Sequence, residues 1–355
     1  MSKINFGKTV SLKQAVQLIL ASPDLRYHLV GEPGIGKSSS MKMLAKALPT
    51  HELAYMDCAS LDLGDIAMPW IDKDTGTTRY APNARFKFHT GKPVIVMLDE
   101  FSKAAPPVMN MLHPLLEAHN PRLGDVPVHE ESRVFTTGNL SSDSVGDNMK
   151  AHTKNRIIKL HVRKPTAEEW LEWAANNEVD PIVMAWVHQY PHCMASYADE
   201  GQADNPYIFQ PRKVQEAFVS PRSLEAASKV LKRRETMDTE TVLAALIGAI
   251  GEAGARDLQA FVEYQDQLPK WADIIADPMQ AKLPTGAGAC SVLVFGAITR
   301  IDKTNMAAFM QYLGRFEPEW QAAFAINVAR NPQKQAVAFS SKAFADWVQK
   351  NEDLL

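Results

Sequence analysis

The run Gly31, Glu32, Pro33, Gly34, Ile35, Gly36, Lys37, Ser38, with Ser39 behind it, has the residue types of a phosphate cradle. It fits G-x-x-x-x-G-K-[ST] and lies between a short apolar segment, 27–30, and a stretch with helical spacing, which is the context the pattern requires. Glycines let successive backbone N–H groups converge on phosphate oxygens, and the helix that follows presents its positive end. In that setting Lys37 reaches the β- and γ-phosphates, and Ser38 offers its hydroxyl to Mg²⁺. The competing reading is a chance glycine-rich turn. A strand before it and a helix after it argue against chance.

A second group must hold the metal and position a water. Residues 93–98 (PVIVML) form a continuous apolar run that ends in Asp99 and Glu100. Two acids at a strand's C-terminal edge sit where open α/β sheets bind their ligands. Asp99 suits the metal, directly or through its water shell, and Glu100 can polarise an attacking water as general base. An apolar strand ending in Asp-Glu is common by itself. Behind a phosphate loop, the paired reading wins.

The elements that must position these groups alternate, as in a parallel sheet covered by helices. Candidate strands are 27–30, 53–56, 93–98, 133–137 and 156–162. The segment 93–98 is the best of them, because a strand buried on both faces reads as an uninterrupted apolar run. Residues 38–48 have helical spacing, with Met41, Leu44, Ala45 and Leu48 on one face, and 105–119 follows as a helix entered through Pro106-Pro107. The first domain is therefore read as 1–165. Beyond Pro165 the pattern turns helical, opening with Thr166 and Glu169 in the spacing of a capping box. Polar, proline-bearing stretches at 198–221 and 267–288 interrupt it, which suggests a helical lid over 166–262 and a helical extension over 263–355.

Composition narrows the class. At 46% hydrophobic and 22% charged residues the chain is globular rather than disordered. Its 355 residues suggest about two domains and permit three. A net charge of −3 announces no global basic field for nucleic acid, although a local patch stays open. Cys58, Cys193 and Cys290 are far apart and read as buried thiols in a reducing compartment. The first twenty residues lack a signal-peptide pattern, and no run reaches the roughly 18 apolar residues of a membrane span. The expected location is cytoplasmic.

At this level the chain resembles the MoxR-like branch of the AAA+ ATPases over roughly residues 10–235. Beyond the two nucleotide motifs, the stretch from Asp99 to Pro107 (DEFSKAAPP) looks like that branch's D-E-x-x-[RK]-A-x-P. Leu115-Leu116-Glu117-Ala118, then Arg122-Leu123-Gly124-Asp125, then Thr137-Gly138-Asn139 resemble its helix, hairpin and sensor strand in order. The resemblance implies an AAA+ P-loop core with a parallel five-stranded sheet, followed by a helical lid and a C-terminal helical extension. It implies Asn139 as the sensor that hydrogen-bonds the attacking water or γ-phosphate. It implies Arg156, in Asn155-Arg156, as an arginine finger reaching a neighbouring subunit, and Arg222, in Ser220-Pro221-Arg222-Ser223, as a second sensor. ATP, Mg²⁺, a homo-oligomeric ring (a hexamer in this branch), and a protein client with a von Willebrand factor A domain partner are likewise implied.

Bland readings stand beside these. Asn139 could cap a turn, Arg156 could pair with a surface acid, and Arg133 and Arg163 are nearby rivals for the finger. Arg222 could be an ordinary charge, although a helix start disfavours a cation unless something anionic faces it. His188 and His192, with Cys193 beside them, could share a helix face as metal ligands, but the two histidines read as polar surface, and 286–291 as a linker. Trp320, Phe324 and Val328 read as helical core, and Lys229, Lys232, Arg233 and Arg234 as a solvated face. Two function classes follow: an ATPase that remodels a protein client, or a nucleic-acid motor or replication or restriction factor on the same core. Net acidity and the lack of an appended helix-turn-helix or OB pattern favour the first.

Overall fold

A computed structural model describes residues 8–140, 149–266 and 268–351. It divides into two compact units, Met1–Lys164 and Pro165–Leu355.

The strands of the first unit are β1 (Tyr27–Val30), β2 (Glu52–Asp57), β3 (Ala67–Asp72), β4 (Thr77–Pro82), β5 (Val94–Asp99), β6 (Arg122–Leu123), β7 (Val126–Pro127), β8 (Arg133–Gly138) and β9 (Ile158–His161). Five of them, in the order β2-β5-β8-β1-β9, form one sheet. Every pairing in it is parallel. These are the five segments expected from the sequence. Burial explains why some were easier to read than others. The central strands β1, β5 and β8 are buried almost throughout, whereas β2 and β9 lie at the edges and are partly exposed. An edge strand carries fewer obligatory apolar residues, so 53–56 gave only a faint pattern.

Helices α1 (Leu12–Ala21), α2 (Ser39–Ala47), α3 (Pro106–Leu112) and α4 (Ala151–Lys154) complete the unit. The helix expected over 105–119 is shorter. It stops at Leu112 and passes into a 3-10 turn, His113–Leu116. Pro114 lacks the N–H that an α-helix would use and its ring crowds the preceding turn, so the helix cannot continue.

Two hairpins project from this unit. β3 and β4 pair from Ala67↔Pro82 to Asp72↔Thr77, a hairpin beyond the five strands expected from the sequence. Their Met68, Trp70, Ile71 and Tyr80 are exposed. The hairpin foreseen at 122–125 is β6–β7, turning through Gly124-Asp125. Gly124 has φ +57°, and a Cβ there would come within 2.3 Å of the Tyr80 carbonyl oxygen. That close approach lets Asp125 take the Tyr80 N–H on its carboxylate at 2.7 Å and donate its own N–H to the Tyr80 carbonyl at 3.0 Å.

The second unit contains α5 (Ala167–Ala175), α6 (Pro181–Gln189), α7 (Pro221–Leu231), α8 (Thr239–Asp266), α9 (Trp271–Ala276), α10 (Ala287–Arg300), α11 (Met306–Leu313), α12 (Pro318–Ala329), α13 (Gln335–Phe339) and α14 (Lys342–Lys350). α8 bends at Gly251, whose φ is +81°. Buried side chains from Ala167 to Phe344 share one core, and Ser291 of α10 donates to the Ala185 carbonyl of α6 at 3.2 Å. Trp320, Phe324 and Val328 lie in that core, as expected. Two sequence expectations are corrected. Residues 287–291 are the first turn of α10 and not a linker, with Gly286 as N-cap. His188 is not on a polar surface: its ring packs against Phe295 and Trp320 at 5.3 and 5.9 Å. Among the described residues no group of three or more His, Cys, Asp or Glu could hold a metal, and no helix is long and apolar enough to cross a membrane.

The capping box at α5 is formed in both directions, with Thr166 Oγ1 accepting from the Glu169 N–H at 3.2 Å and Glu169 Oε2 accepting from the Thr166 N–H at 3.0 Å. Thr166→Ala is expected to destabilise the second unit by about 1 kcal/mol, with Thr166→Ser close to wild type. Denaturant unfolding followed by tryptophan fluorescence checks this, because every tryptophan except Trp70 lies in that unit.

Candidate functional site

β1 is buried along its whole length and ends at Val30 against the ends of β8 and β9, where Val30 is level with Gly138 and His161. The chain must leave the sheet there. It does so through 31–38, with Gly34 and Gly36 at φ +74° and +95°, conformations that only glycine adopts without strain. The loop then enters α2, whose N-cap is Ser38. Gly31 is needed for a different reason. A Cβ there would lie 2.5 Å from both the Val162 carbonyl oxygen and Ile35 Cδ1.

Lys37 is buried, and its ammonium folds back over the loop. Nζ donates to the carbonyls of Gly31 at 2.7 Å and Glu32 at 2.9 Å, and to Asn139 Oδ1 at 3.1 Å. Asn139 follows the last residue of β8. Its Nδ2 faces Glu100 Oε1 at 3.4 Å, so one amide links the lysine to the acid.

β5 delivers Asp99 and Glu100 to the same edge. Asp99 is the last residue of its strand and is level with Asp57 of β2. Its Oδ2 accepts from the Tyr55 hydroxyl at 2.7 Å and from Ser38 Oγ at 3.4 Å, while Oδ1 accepts from Thr137 Oγ1. Glu100 leaves the strand with φ +50° and ψ +37°, a left-handed conformation uncommon outside glycine. The Thr137 hydroxyl holds it there, accepting the Glu100 N–H at 3.2 Å. The Glu100 carboxylate pairs with Lys103 through its other oxygen.

The structure thus brings together the loop 31–39, Asp99, Glu100 and Asn139, all foreseen from the sequence. It adds Tyr55, Thr137 and Lys103, to which no role had been given. Thr137 and Lys103 lie inside stretches already singled out. Tyr55 sits on an exposed edge strand, and nothing in its local sequence sets it apart. Chemically, the edge offers backbone N–H groups and one ammonium for phosphates. It also offers one carboxylate and one hydroxyl for a hard cation, and a second carboxylate as base. That donor set suits Mg²⁺, which takes one or two protein oxygens and completes its shell with water and substrate phosphates.

Arg156 is not at this edge. It precedes β9, whose first residue, Ile158, is level with Tyr27 at the start of β1, so the arginine lies at the opposite end of the parallel sheet from its own phosphate loop. Its side chain is exposed, with Nη2 3.5 Å from Glu117 Oε1 and Nη1 donating to the His152 carbonyl at 3.1 Å. Of its two rivals, Arg133 is turned inward and donates to the carbonyls of Leu20 and Glu131. Arg163 donates to the Lys164 carbonyl at 3.2 Å. Arg222 belongs to the second unit. It is exposed in the first turn of α7, which starts with a Ser220–Ser223 capping box and Pro221.

Residues 27–157 match the family model of the AAA domain, dynein-related subfamily. This stretch of the chain has the fold of an AAA domain, a family of nucleotide-binding ATPases, and it contains every site residue of the first unit. No curated protein matches the chain. Solved structures that resemble it include a "putative ATPase" from Cytophaga hutchinsonii, 16% identical, covering 69% of this chain and 82% of that one with a TM-score of 0.34. A likeness of that degree carries no functional weight.

Gly31→Ala should displace the start of the loop, because one of the two equally close obstacles, the Val162 carbonyl oxygen, is backbone. Overpacking of this kind costs about 1–3 kcal/mol, so nucleotide binding is expected to weaken by roughly tenfold or more while the circular dichroism stays that of wild type. Titration with a fluorescent ATP analogue decides it. Unchanged affinity would mean that the segment at Val162 gives way instead.

Proposed function

We propose that the AAA domain is the motor of a ring-forming, MoxR-like ATPase that couples Mg²⁺-dependent ATP hydrolysis to the remodelling of a protein client. The observation that carries this reading is the chain of contacts from Lys37 through Asn139 to Glu100, with Asp99 and Ser38 beside it. Phosphate-binding, water-sensing and basic groups lie within hydrogen-bond reach of one another there, as phosphoryl transfer requires.

In this reading the backbone N–H groups of 31–39 wrap the phosphates. Lys37 exchanges its carbonyl partners and Asn139 for phosphate oxygens, so its buried charge has partners before and after binding. Ser38 and Asp99 would hold Mg²⁺, which would supply positive charge against the phosphates. Asn139 is then free to orient the attacking water, and Glu100 takes the water's proton. Arg222 would add a second cation from the lid, read as 166–262. The extension, 263–355, is the part most open to specialisation for a client. Ring assembly, a hexamer in this branch, and a partner with a von Willebrand factor A domain follow from the MoxR resemblance.

Arg156 supports the ring on physical grounds. An arginine at the far end of the sheet from its own loop can complete a nucleotide site only in a neighbour, and such a head-to-tail interface makes a ring where its rotation closes. In the second unit the basic run is partly neutralised, with Lys229 on Glu225 at 2.7 Å and Arg234 near Asp180 at 3.7 Å, which gives the nucleic-acid reading no support.

Glu100→Gln is expected to bind ATP but hardly turn it over, since an amide cannot accept the water's proton. Lys37→Ala should instead weaken binding. Phosphate release and nucleotide titration separate the two, and a wild-type rate for Glu100→Gln would remove it as base. ATP is expected to be preferred to GTP, and protein rather than nucleic acid to stimulate hydrolysis.

Arg156→Ala should bind ATP nearly normally yet lose about 10³-fold or more in rate. When mixed with Lys37→Ala subunits in rings shown to contain both, activity should partly return, because the intact Arg156 of one subunit completes the intact pocket of the next. Full activity of Arg156→Ala by itself would exclude it from the mechanism.

A further inference from the structure

Arg156 is exposed, but its guanidinium is held from two sides. Nη2 faces the Glu117 carboxylate at 3.5 Å, while Nη1 donates to the His152 carbonyl at 3.1 Å and lies 3.4 Å from His113 Nε2. The His113 and His152 rings meet edge to face with centroids 5.1 Å apart. His152 is supplied by α4, only one helical turn before the arginine. His113 and Glu117 come from the 3-10 turn that Pro114 imposes after α3, with Glu117 as its C-cap. Burial first, and then the Arg156 charge, hold the His113 imidazole below its ordinary pKa. The ring is therefore neutral near pH 7, able to lie against a cation without repelling it.

This arrangement has a use if the finger role proposed above is correct, and the inference rests on that role. A finger must present N–H groups to phosphate oxygens on another subunit, and a long arginine side chain loses much rotamer freedom in doing so. We propose that Glu117, backed by His113, is a positioning residue that pre-orders the Arg156 guanidinium at the sheet edge remote from its own phosphate loop, ready for the neighbouring subunit's nucleotide. Glu117 touches no substrate in this scheme and acts only through Arg156. Because the pair is exposed and its carboxylate contact is long, it orders the guanidinium without withdrawing it from a phosphate, since such surface pairs are weak.

Glu117→Gln keeps the shape of the side chain and removes its charge. The expected result is a fall in kcat of about five- to tenfold at unchanged affinity for a fluorescent ATP analogue, because misplacing a group that acts only in the transition state costs rate and not binding. The unfolding temperature should not move, since the side chain is exposed. The readout that a merely structural role would not give is the double variant. Glu117→Gln in an Arg156→Ala background should cost nothing further, measured by single-turnover hydrolysis of radiolabelled ATP with the full-length protein. A further fall in that background would mean that Glu117 acts elsewhere, and would overturn the inference. So would a wild-type kcat for Glu117→Gln while Arg156→Ala is inactive, which leaves the finger role itself intact. A higher kcat would overturn it in the other direction, making the carboxylate a restraint. If Arg156→Ala is fully active, the finger role fails and this inference fails with it.

Discussion

Parallel pairing is the constraint on which the candidate site depends. Since β2, β5, β8, β1 and β9 all run the same way, their C-terminal ends must fall on one edge. The register makes this specific: Asp57 is level with Asp99, and Val30 with Gly138 and His161. A loop leaving Val30, two acids after Leu98 and an amide after Gly138 become neighbours although they are far apart in the chain. Had β8 run antiparallel, Asn139 would sit at the other end of the sheet, and neither Lys37 nor Glu100 could reach it.

Within that edge the polar groups satisfy one another. Lys37 takes two loop carbonyls and Asn139. Asp99 takes Tyr55, Thr137 and Ser38, and Glu100 takes Asn139 and Lys103. Polar groups in a partly buried cleft must be paired, because an unpaired one carries its full desolvation cost. In the proposed function, phosphate oxygens would take over as acceptors for the Lys37 ammonium, and a cation would take over as partner of the Asp99 carboxylate. The left-handed backbone at Glu100 has the same origin: it turns the chain off the strand so that the side chain faces Asn139, and the Thr137 hydroxyl compensates for the unusual conformation.

The opposite edge of the same sheet carries the other half of the proposed chemistry. Arg156 emerges where β9 begins, beside the 3-10 turn that holds Glu117 and His113. A single rigid sheet can thus present a nucleotide site at one end and an arginine for the next subunit at the other. Pro114 contributes by ending α3 early. Were the helix to continue, the backbone at Glu117 would follow helical geometry instead of its extended conformation, and its carboxylate would be aimed differently.

The order of the strands' contents and the identity of the phosphate loop were legible because they are local. Glycine spacing, the apolar run before Asp99 and the Thr166–Glu169 box each report a geometry set within a few residues. The local signals misled where a neighbour overrode them. His188 looked polar until Phe295 and Trp320 enclosed it, and 286–291 looked like a loop until packing made it the start of α10. What only tertiary structure decided is who meets whom. Tyr55 on Asp99, Lys103 and Asn139 on Glu100, and Glu117 on Arg156 depend on strand register and on where Pro114 breaks the chain. Sequence spacing fixes the type of a local turn, but contacts between distant segments exist only once the sheet has set their register.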